Sequence, residues 1–149
     1  MSKIRITKSF SFETGHALYG YDGLCKNVHG HSYKLDVTVI GTPIGDSNNV
    51  KYGMVIDFKD LKKIVKDEIV DVFDHATVFN QNTPHVNLAK TLEESGHKVL
   101  LVDYQPTSEE MIIDFAAKIQ AKLPKQIKLH HLRLQETATS FAEWYAADQ

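Results

Sequence analysis

The stretch from Cys25 to Tyr33, CKNVHGHSY, combines the only cysteine of the chain with a His-Gly-His sequence. Successive side chains on a β-strand point to opposite faces, so His29 and His31, two positions apart, would project to the same side. Their imidazole rings could then bind one metal ion. An isolated H-x-H pair is also common as two ordinary strand histidines, so the pair alone does not decide between these interpretations.

His16 provides a possible third nitrogen ligand. It follows the first predicted strand with the even-numbered register of that strand's apolar residues, and a hairpin could bring it opposite His29 and His31. Three neutral imidazoles suit Zn²⁺, and a site with three protein ligands leaves a fourth position for water or substrate. The pattern therefore favours a catalytic zinc site over a structural one.

Cys25 cannot form an internal disulfide because it has no partner in the chain. It is a small buried apolar residue, a further metal ligand, or a thiol that faces the open coordination position. A thiol beside a metal or an imidazolium has a lowered pKa and can act as a base or a nucleophile. The sequence leaves these three roles open.

Asp74 and His75 follow the apolar face of a predicted helix. Adjacent residues do not share a helix face, but a chain that leaves the helix at this point would allow Asp74 to orient His75. The alternative is a helix cap or a solvated pair.

Glu136 lies on a predicted strand face that also carries Leu132 and Leu134, where an unpaired carboxylate would be costly. Two interpretations remain: Glu136 pairs with a protein cation such as Arg133 or Lys128, or it accepts N–H groups of a ligand.

These residues need strands and helices to bring them together. Apolar residues alternate over residues 4–12 and again over 33–39, which predicts a long antiparallel strand pair. Apolar residues then recur at intervals of three and four over 58–73, which predicts an amphipathic helix capped by Asp57.

The second half of the chain contains one clear helix and two strands. Thr107 and Glu110 have capping-box spacing, and Glu109 and Glu110 suit a helix N-terminus, so a helix should begin there and end before Pro124. Alternation over 129–136 and an aromatic run over 141–145 predict a closing hairpin. The segment 79–105 is less regular, with a possible short helix over NLAKTLEES. The order strand, strand, helix, helix, strand, strand predicts an α+β domain.

Composition limits the classes of protein to which the chain can belong. Its 149 residues, 42% of them hydrophobic, match one domain over 1–149. The net charge of −2 gives no basic excess of the kind that marks a nucleic-acid binder. No signal peptide or apolar run of about 18 residues is visible, so we expect no membrane partner and a cytoplasmic location.

Six segments in this order resemble the 6-pyruvoyl-tetrahydropterin synthase family: FSFETGHAL, CKNVHGHSY, GMVIDFKDLK, FDHATVFN, PTSEEM and LQET. The spacing C-x3-H-G-H is most similar to the family's bacterial branch, which forms 6-carboxy-5,6,7,8-tetrahydropterin in the queuosine pathway. The resemblance covers nearly the whole chain.

The resemblance implies a role for each candidate residue. It implies that Zn²⁺ is the cofactor, that a thiol, a carboxylate and an imidazole transfer protons, and that a glutamate holds the pterin. The zinc ligands would be His16, His29 and His31; the proton-transfer residues Cys25, Asp74 and His75; and the substrate-binding residues Glu136, with Glu109, Thr107 and Ser108 near the same pocket.

The resemblance also implies a fold, a reaction and an assembly. The fold is the tunnelling fold (T-fold), a four-stranded antiparallel sheet with two helices on one face in the order ββααββ. The reaction converts 7,8-dihydroneopterin triphosphate to 6-carboxytetrahydropterin and releases acetaldehyde and triphosphate. Family members form homo-oligomers, trimers that stack into hexamers, with active sites between subunits. The alternatives are the pyruvoyl-forming reaction and a non-catalytic protein that binds pterin or metal.

Overall fold

A computed structural model describes residues 1–149 and contains one six-stranded mixed sheet. The strands lie side by side in the order β4-β3-β1-β2-β5-β6. Their bounds are β1 Ile4–His16, β2 His29–Gly41, β3 Ala76–Asn80, β4 Val99–Val102, β5 Lys128–Thr137 and β6 Ser140–Tyr145.

Helices connect the strands and cover the sheet. The first helical segment has three consecutive parts, of which the middle one is a π-helical turn at Lys66–Val70. The α-helices are α1 Phe58–Val65, α2 Asp71–Phe73, α3 His85–Glu94 and α4 Ser108–Lys122, and short 3₁₀ turns occur at Leu24–Lys26 and Ala146–Asp148. None of the helices is long and apolar enough to cross a membrane.

The pairing of β1 with β2 confirms the predicted antiparallel pair and extends it. The two strands pair from Ile4 opposite Gly41 to His16 opposite His29. The even-numbered residues of β1 and the odd-numbered residues of β2 face the core. Phe12, for example, lies opposite Tyr33, and both are buried. The hairpin therefore continues beyond the apolar stretch and carries the histidines at its end on the core side.

Both predicted helix starts are confirmed. The Asp57 side chain accepts a hydrogen bond from the Lys59 N–H at 2.9 Å, and the Thr107 hydroxyl accepts one from the Glu110 N–H at 3.2 Å. Each bond satisfies one of the free N–H groups at a helix N-terminus. Only this half of the predicted capping box forms at Thr107, because the Thr107 N–H instead bonds the Gln105 carbonyl.

The main core lies between the sheet and the helices α1, α2 and α4. Phe115 of α4 packs edge-on against Phe73 of α2 and Phe12 of β1, with ring centroids 4.9 and 6.2 Å apart. Phe12 in turn stacks on Tyr33, at 5.6 Å. Tyr33 is the next core-facing residue after His31 on β2, so this aromatic cluster directly supports the end of the hairpin that carries the histidines.

The α+β class is confirmed, but the prediction of a four-stranded antiparallel sheet in the order ββααββ is wrong. β3 and β4 are additional strands, and β3 runs parallel to both β1 and β4. Ala76, Val78 and Phe79 are all buried, so β3 is covered on both faces. A short strand buried on both faces has no alternation of polar and apolar residues and is therefore difficult to recognise from periodicity.

The third α-helix covers the other face of this added part of the sheet. Val78 belongs to the main core, whereas its neighbour Phe79 packs with Ala17 and with Ala89 of α3. Adjacent strand residues point to opposite faces, so α3 lies on the face opposite α1 and α4. The short helix predicted in this region is confirmed, and it begins earlier than the NLAKTLEES segment, at His85.

Candidate active site and metal centre

Three histidines converge at the loop end of the β1–β2 hairpin. The Nε2 atoms of His16 and His29, paired across the two strands, lie 3.0 Å apart. The ring of His31 lies 5.1 Å from that of His16 and 4.9 Å from that of His29, measured between centroids. One ligand atom from each histidine and a carboxylate oxygen of Glu136 all lie within 4.8 Å of one another.

Backbone carbonyls fix which nitrogen of each ring faces the cluster. The Nδ1 atom of His16 lies 2.6 Å from the Pro106 carbonyl oxygen, and that of His29 lies 2.7 Å from the Asn27 carbonyl oxygen. A carbonyl only accepts hydrogen bonds, so both Nδ1 atoms carry the proton. In the neutral rings the Nε2 lone pairs then face each other, an arrangement that repels unless a cation lies between them. Such carbonyl contacts are typical of histidines that bind metals.

His31 supplies a buried ring nitrogen without a hydrogen bond. Its Nε2 atom lies 2.9 Å from Glu136 Oε1, but the approach is not along a hydrogen-bond direction, and no other partner reaches it. Burial lowers the pKa of His31 against the opposing influence of Glu136. The ring is therefore held in the neutral form that binds metal ions.

Glu136 contacts the imidazoles and not a lysine or arginine. One carboxylate oxygen accepts a hydrogen bond from the Ser108 hydroxyl at 2.5 Å, and the other lies 3.4 Å from His16 Nε2. The pKa of Glu136 is lowered to about 2, first by the contact with His16 when its Nε2 atom carries a proton and then by the hydrogen bond from Ser108, although burial opposes the shift. The alternative pairing with Arg133 or Lys128 is wrong, because the Arg133 guanidinium lies over the Phe141 ring, 4.0 Å from its centroid, and Lys128 forms no ion pair.

The donor set fits a transition metal of the zinc type. Imidazole nitrogens and carboxylate oxygens are ligand types that zinc prefers, and three histidines alone make up the protein ligands of one common class of catalytic zinc site. The buried, unpartnered nitrogen of His31 and the facing nitrogens of His16 and His29 are the observations that support this fit.

A cavity of about 250 Å³ opens beside this group of donors. It brings Cys25, which is half-buried, together with all four residues predicted to bind substrate. Its lining residues are His16, Leu18, Tyr21, Cys25, Thr107, Ser108, Glu109 and Glu136.

The Asp74–His75 pair is held against the outer side of β1. Asp74 Oδ1 lies 3.0 Å from His75 Nδ1 and also accepts a hydrogen bond from the Glu13 N–H at 2.9 Å. The His75 N–H donates to the Glu13 carbonyl at 2.6 Å. The Glu13 N–H, with a smaller effect from His75, lowers the pKa of Asp74, so this carboxylate is ionised near neutral pH. Asp74 therefore orients His75, as the sequence suggested.

His75 is the only residue other than glycine with a positive φ, 60°. A side chain with a Cβ atom is strained in this left-handed conformation, and such strain is concentrated at functional sites. The two hydrogen bonds to Glu13 hold the backbone in this conformation.

Cys25 and His75 do not line the same cavity. His75 lines a separate cavity of about 300 Å³ with Glu13, Ser32 and Thr77, and His31 forms part of its wall. Glu13 and Ser32 alternate with the core-facing residues of β1 and β2, so this cavity opens on the sheet face opposite α4. A single chain therefore brings Asp74 to His75 but does not bring either residue into the cavity that Cys25 lines.

Several residues of the site were missed from the sequence. Tyr21 lines the cavity with Cys25, and the Tyr21 ring lies so close to Gly23 that a Cβ atom there would be 2.5 Å from it. The signal in the sequence is the pair Gly20 and Gly23 around Tyr21, which could have indicated a tight loop with the Tyr21 ring folded against its backbone. Glu13 and Ser32 were recognisable only as polar residues on the outer face, and their bond to each other at 2.7 Å depends on strand register.

The chain is similar to known proteins over nearly its whole length. The profile of the family described as 6-pyruvoyl tetrahydropterin synthase matches residues 5–147. The chain is 40% identical over 141 residues to 6-carboxy-5,6,7,8-tetrahydropterin synthase of Haemophilus influenzae, covering 94% of this chain and 97% of that one. It is 32% identical over 164 residues to the protein of the same name from Aquifex aeolicus, covering 95% and 98%.

Solved structures share the fold at lower sequence identity. An uncharacterized protein from Wolinella succinogenes has a TM-score of 0.76 at 20% identity, covering 98% of this chain and 99% of that one. The 6-pyruvoyl tetrahydropterin synthase of Caenorhabditis elegans has a TM-score of 0.68 at 22% identity, covering 98% and 97%.

The strain at His75 can be measured with two substitutions that both remove the imidazole. We expect His75→Gly to be more stable than His75→Ala by about 1 kcal/mol, because glycine adopts a positive φ without steric cost. Urea unfolding of the two variants gives this difference directly, since the loss of contact with Asp74 is common to both. Equal stabilities would show that the backbone at this position is not strained.

The histidine cluster should bind one divalent ion per chain. We expect His29→Ala and His31→Ala to lower zinc affinity by at least about 100-fold in equilibrium dialysis, because each removes a ligand. His97→Ala, at an exposed position away from the cluster, serves as the matched control.

The same site should show a defined pH dependence. Burial holds the pKa of His31 below its ordinary value of 6.5, so this ligand stays neutral to a lower pH than an ordinary histidine. Zinc bound at neutral pH should therefore be released only as the pH falls below that value. Unchanged zinc binding in His31→Ala would exclude His31 as a ligand.

Proposed function

The chain belongs to the 6-pyruvoyl tetrahydropterin synthase family, and we propose that it is a zinc-dependent 6-carboxy-5,6,7,8-tetrahydropterin synthase. Its substrate is 7,8-dihydroneopterin triphosphate, and its other products are acetaldehyde and triphosphate. The observation that carries this proposal is the convergence of three imidazoles and one carboxylate beside a cavity lined by a cysteine. The product would enter the biosynthesis of queuosine and related 7-deazapurines.

His16, His29 and His31 are the residues that would hold the ion. A bound Zn²⁺ would supply Lewis acidity, which lowers the pKa of the hydroxyls on the substrate side chain. The carbonyls of Pro106 and Asn27 fix the orientation of two of the rings, so the ligand atoms are arranged before the ion binds.

Glu136 is the residue best suited to bind the pterin. The 2-amino group and a ring N–H of a pterin form a paired donor edge, which an ionised carboxylate accepts through two hydrogen bonds. Glu136 is ionised at neutral pH because its pKa is about 2, and the Ser108 hydroxyl orients one of its oxygens. Thr107 and Glu109 line the same cavity and complete the proposed substrate-binding group.

Cys25 and the Asp74–His75 pair are the proposed proton-transfer groups. Cys25 is within the cavity and half-buried, where a thiolate would reach a bound substrate. The ionised Asp74 holds the His75 ring and stabilises it when it carries a proton. Protons on the substrate side chain would move between these two groups.

The separation of these groups supports an oligomeric enzyme. Cys25 and His75 line cavities on opposite faces of the sheet, so one chain alone does not assemble the proton-transfer set. We propose that His75 of one copy meets Cys25 of another in a homo-oligomer, a trimer or a hexamer.

The proposed reaction is tested by product analysis. We expect the zinc-loaded protein to convert 7,8-dihydroneopterin triphosphate to 6-carboxytetrahydropterin and acetaldehyde, both identified by mass spectrometry. Cys25→Ser should reduce the rate by about 100- to 10,000-fold, because it removes an acid–base group. Formation of a pyruvoyl product without acetaldehyde would indicate the other activity of the family, and tight binding without turnover would indicate a binding protein.

The role of Glu136 is tested by Glu136→Gln, which keeps the shape but removes the charge. We expect pterin affinity to fall by about 10- to 100-fold, because the substitution removes a charge-assisted hydrogen-bond acceptor. Zinc content should remain at one ion per chain, measured by elemental analysis. If zinc is lost together with pterin affinity, Glu136 is a metal ligand and not the pterin anchor.

A further inference from the structure

The loop over residues 17–28 carries Cys25 but contains little regular structure. It connects β1 to β2 and includes only the 3₁₀ turn Leu24–Lys26, and Leu24 and Val28 are 87% and 52% exposed. A hydrogen bond from the Leu18 N–H to the Cys25 carbonyl, at 3.0 Å, closes the loop across its base. Because the loop buries little apolar surface of its own, its position must depend on what its first residues contact.

The first residues of the loop pack against α3. The Tyr19 ring lies edge-to-face on the His85 ring, with centroids 5.2 Å apart and an interplanar angle of 83°. His85 in turn lies 5.5 Å from Phe79 of β3, so its ring is placed between the two aromatic side chains. Contacts of this geometry are favourable beyond the area that they bury.

Two further contacts attach the same part of the loop to the 76–105 region. The Gln105 side chain donates a hydrogen bond to the Tyr19 carbonyl at 3.2 Å. Ala17 is fully buried against Phe79 and Ala89, in a cluster separate from the main core. The position of the loop start is therefore determined largely by β3 and α3, which are separate from the three strands β1, β2 and β5 that hold the metal ligands and Glu136.

The His85 ring makes these contacts through packing and not through a hydrogen bond. Its Nδ1 atom is buried and has no partner. Its contribution at this position is therefore that of a flat aromatic ring, which another aromatic residue could supply.

We propose that His85 is a positioning residue for the Cys25 thiol. Its ring fixes Tyr19, which is adjacent to Leu18, and the Leu18 N–H holds the Cys25 carbonyl. Loss of this ring would allow the loop to move and would displace the thiol from the cavity that it shares with His16 and Glu136. This inference rests on the proposed catalytic role of Cys25, but its central measurement does not require turnover.

Hydrogen exchange at the Leu18 amide measures the loop directly in the zinc-loaded protein. We expect His85→Ala to accelerate exchange by about three- to tenfold, because two aromatic contacts are lost. His85→Phe should stay within about twofold of the parent protein, because a phenyl ring keeps both contacts. Val86→Ala, which truncates an exposed neighbour on the same helix turn, is the matched control and should leave exchange unchanged. Unchanged exchange in His85→Ala, or equal acceleration in His85→Phe, would overturn the proposal.

A double-mutant cycle tests whether Tyr19 transmits the effect. Tyr19→Ala should accelerate exchange to a similar extent, and the double variant Tyr19→Ala with His85→Ala should be little faster than either single variant. Multiplicative effects of the two substitutions would show that they act independently and would overturn this route.

Two measurements connect the loop to the thiol. The rate of Cys25 alkylation by iodoacetamide should rise by about three- to tenfold in His85→Ala and be restored in His85→Phe, since a freer loop exposes a half-buried thiol. In turnover, kcat should fall while KM for the pterin changes little, because Glu136 lies on β5 and not on the loop. If the protein turns over no pterin at all, the exchange and alkylation results still decide the role of His85, whereas unchanged alkylation in His85→Ala would overturn it.

Discussion

The register between β1 and β2 is the constraint on which the site depends. Each strand has 13 residues, and every pair from Ile4–Gly41 to His16–His29 is in place without a bulge. A shift of one residue would turn the imidazoles to the opposite face and bury polar residues in the core. The same alternation that buries Phe12 and Tyr33 therefore places the histidines on the core side, so the folding of the hairpin and the formation of the ligand cluster are one event.

Much of the fold follows from local patterns in the sequence. Alternation identified the hairpin strands, spacing at three and four identified the helix around Leu61, and Asp57 and Thr107 identified where two helices begin. These features depend on residues close together in the chain. The strand Ala76–Asn80 was missed because it is buried on both faces, so its composition reflects packing against α3 and the main core and not a period of two.

Part of the metal cluster was also predictable from residues that lie close together in the chain. His29 and His31 share a face by local geometry alone, and His16 joins them through a strand pairing that the alternation suggested. Interactions of the cluster with distant parts of the chain were not predictable: the Pro106 carbonyl that orients His16 lies 90 positions away.

The partners of Glu136 could not be chosen because Arg133, close in sequence, points to the other side and packs on Phe141. The separation of Cys25 from His75 likewise depends on which sheet face each loop reaches.

The placement of Cys25 and His75 on opposite faces of the sheet has a genetic consequence. In an assembly where each site takes its thiol from one copy and its imidazole from another, a subunit defective in Cys25 still offers an intact His75 to its neighbour, and the reverse is also true. Two null alleles, one at each position, would then complement when expressed in the same cell, because mixed particles regenerate a fraction of whole sites. Two alleles that both disrupt the histidine cluster would not complement, since all three of its rings come from one polypeptide.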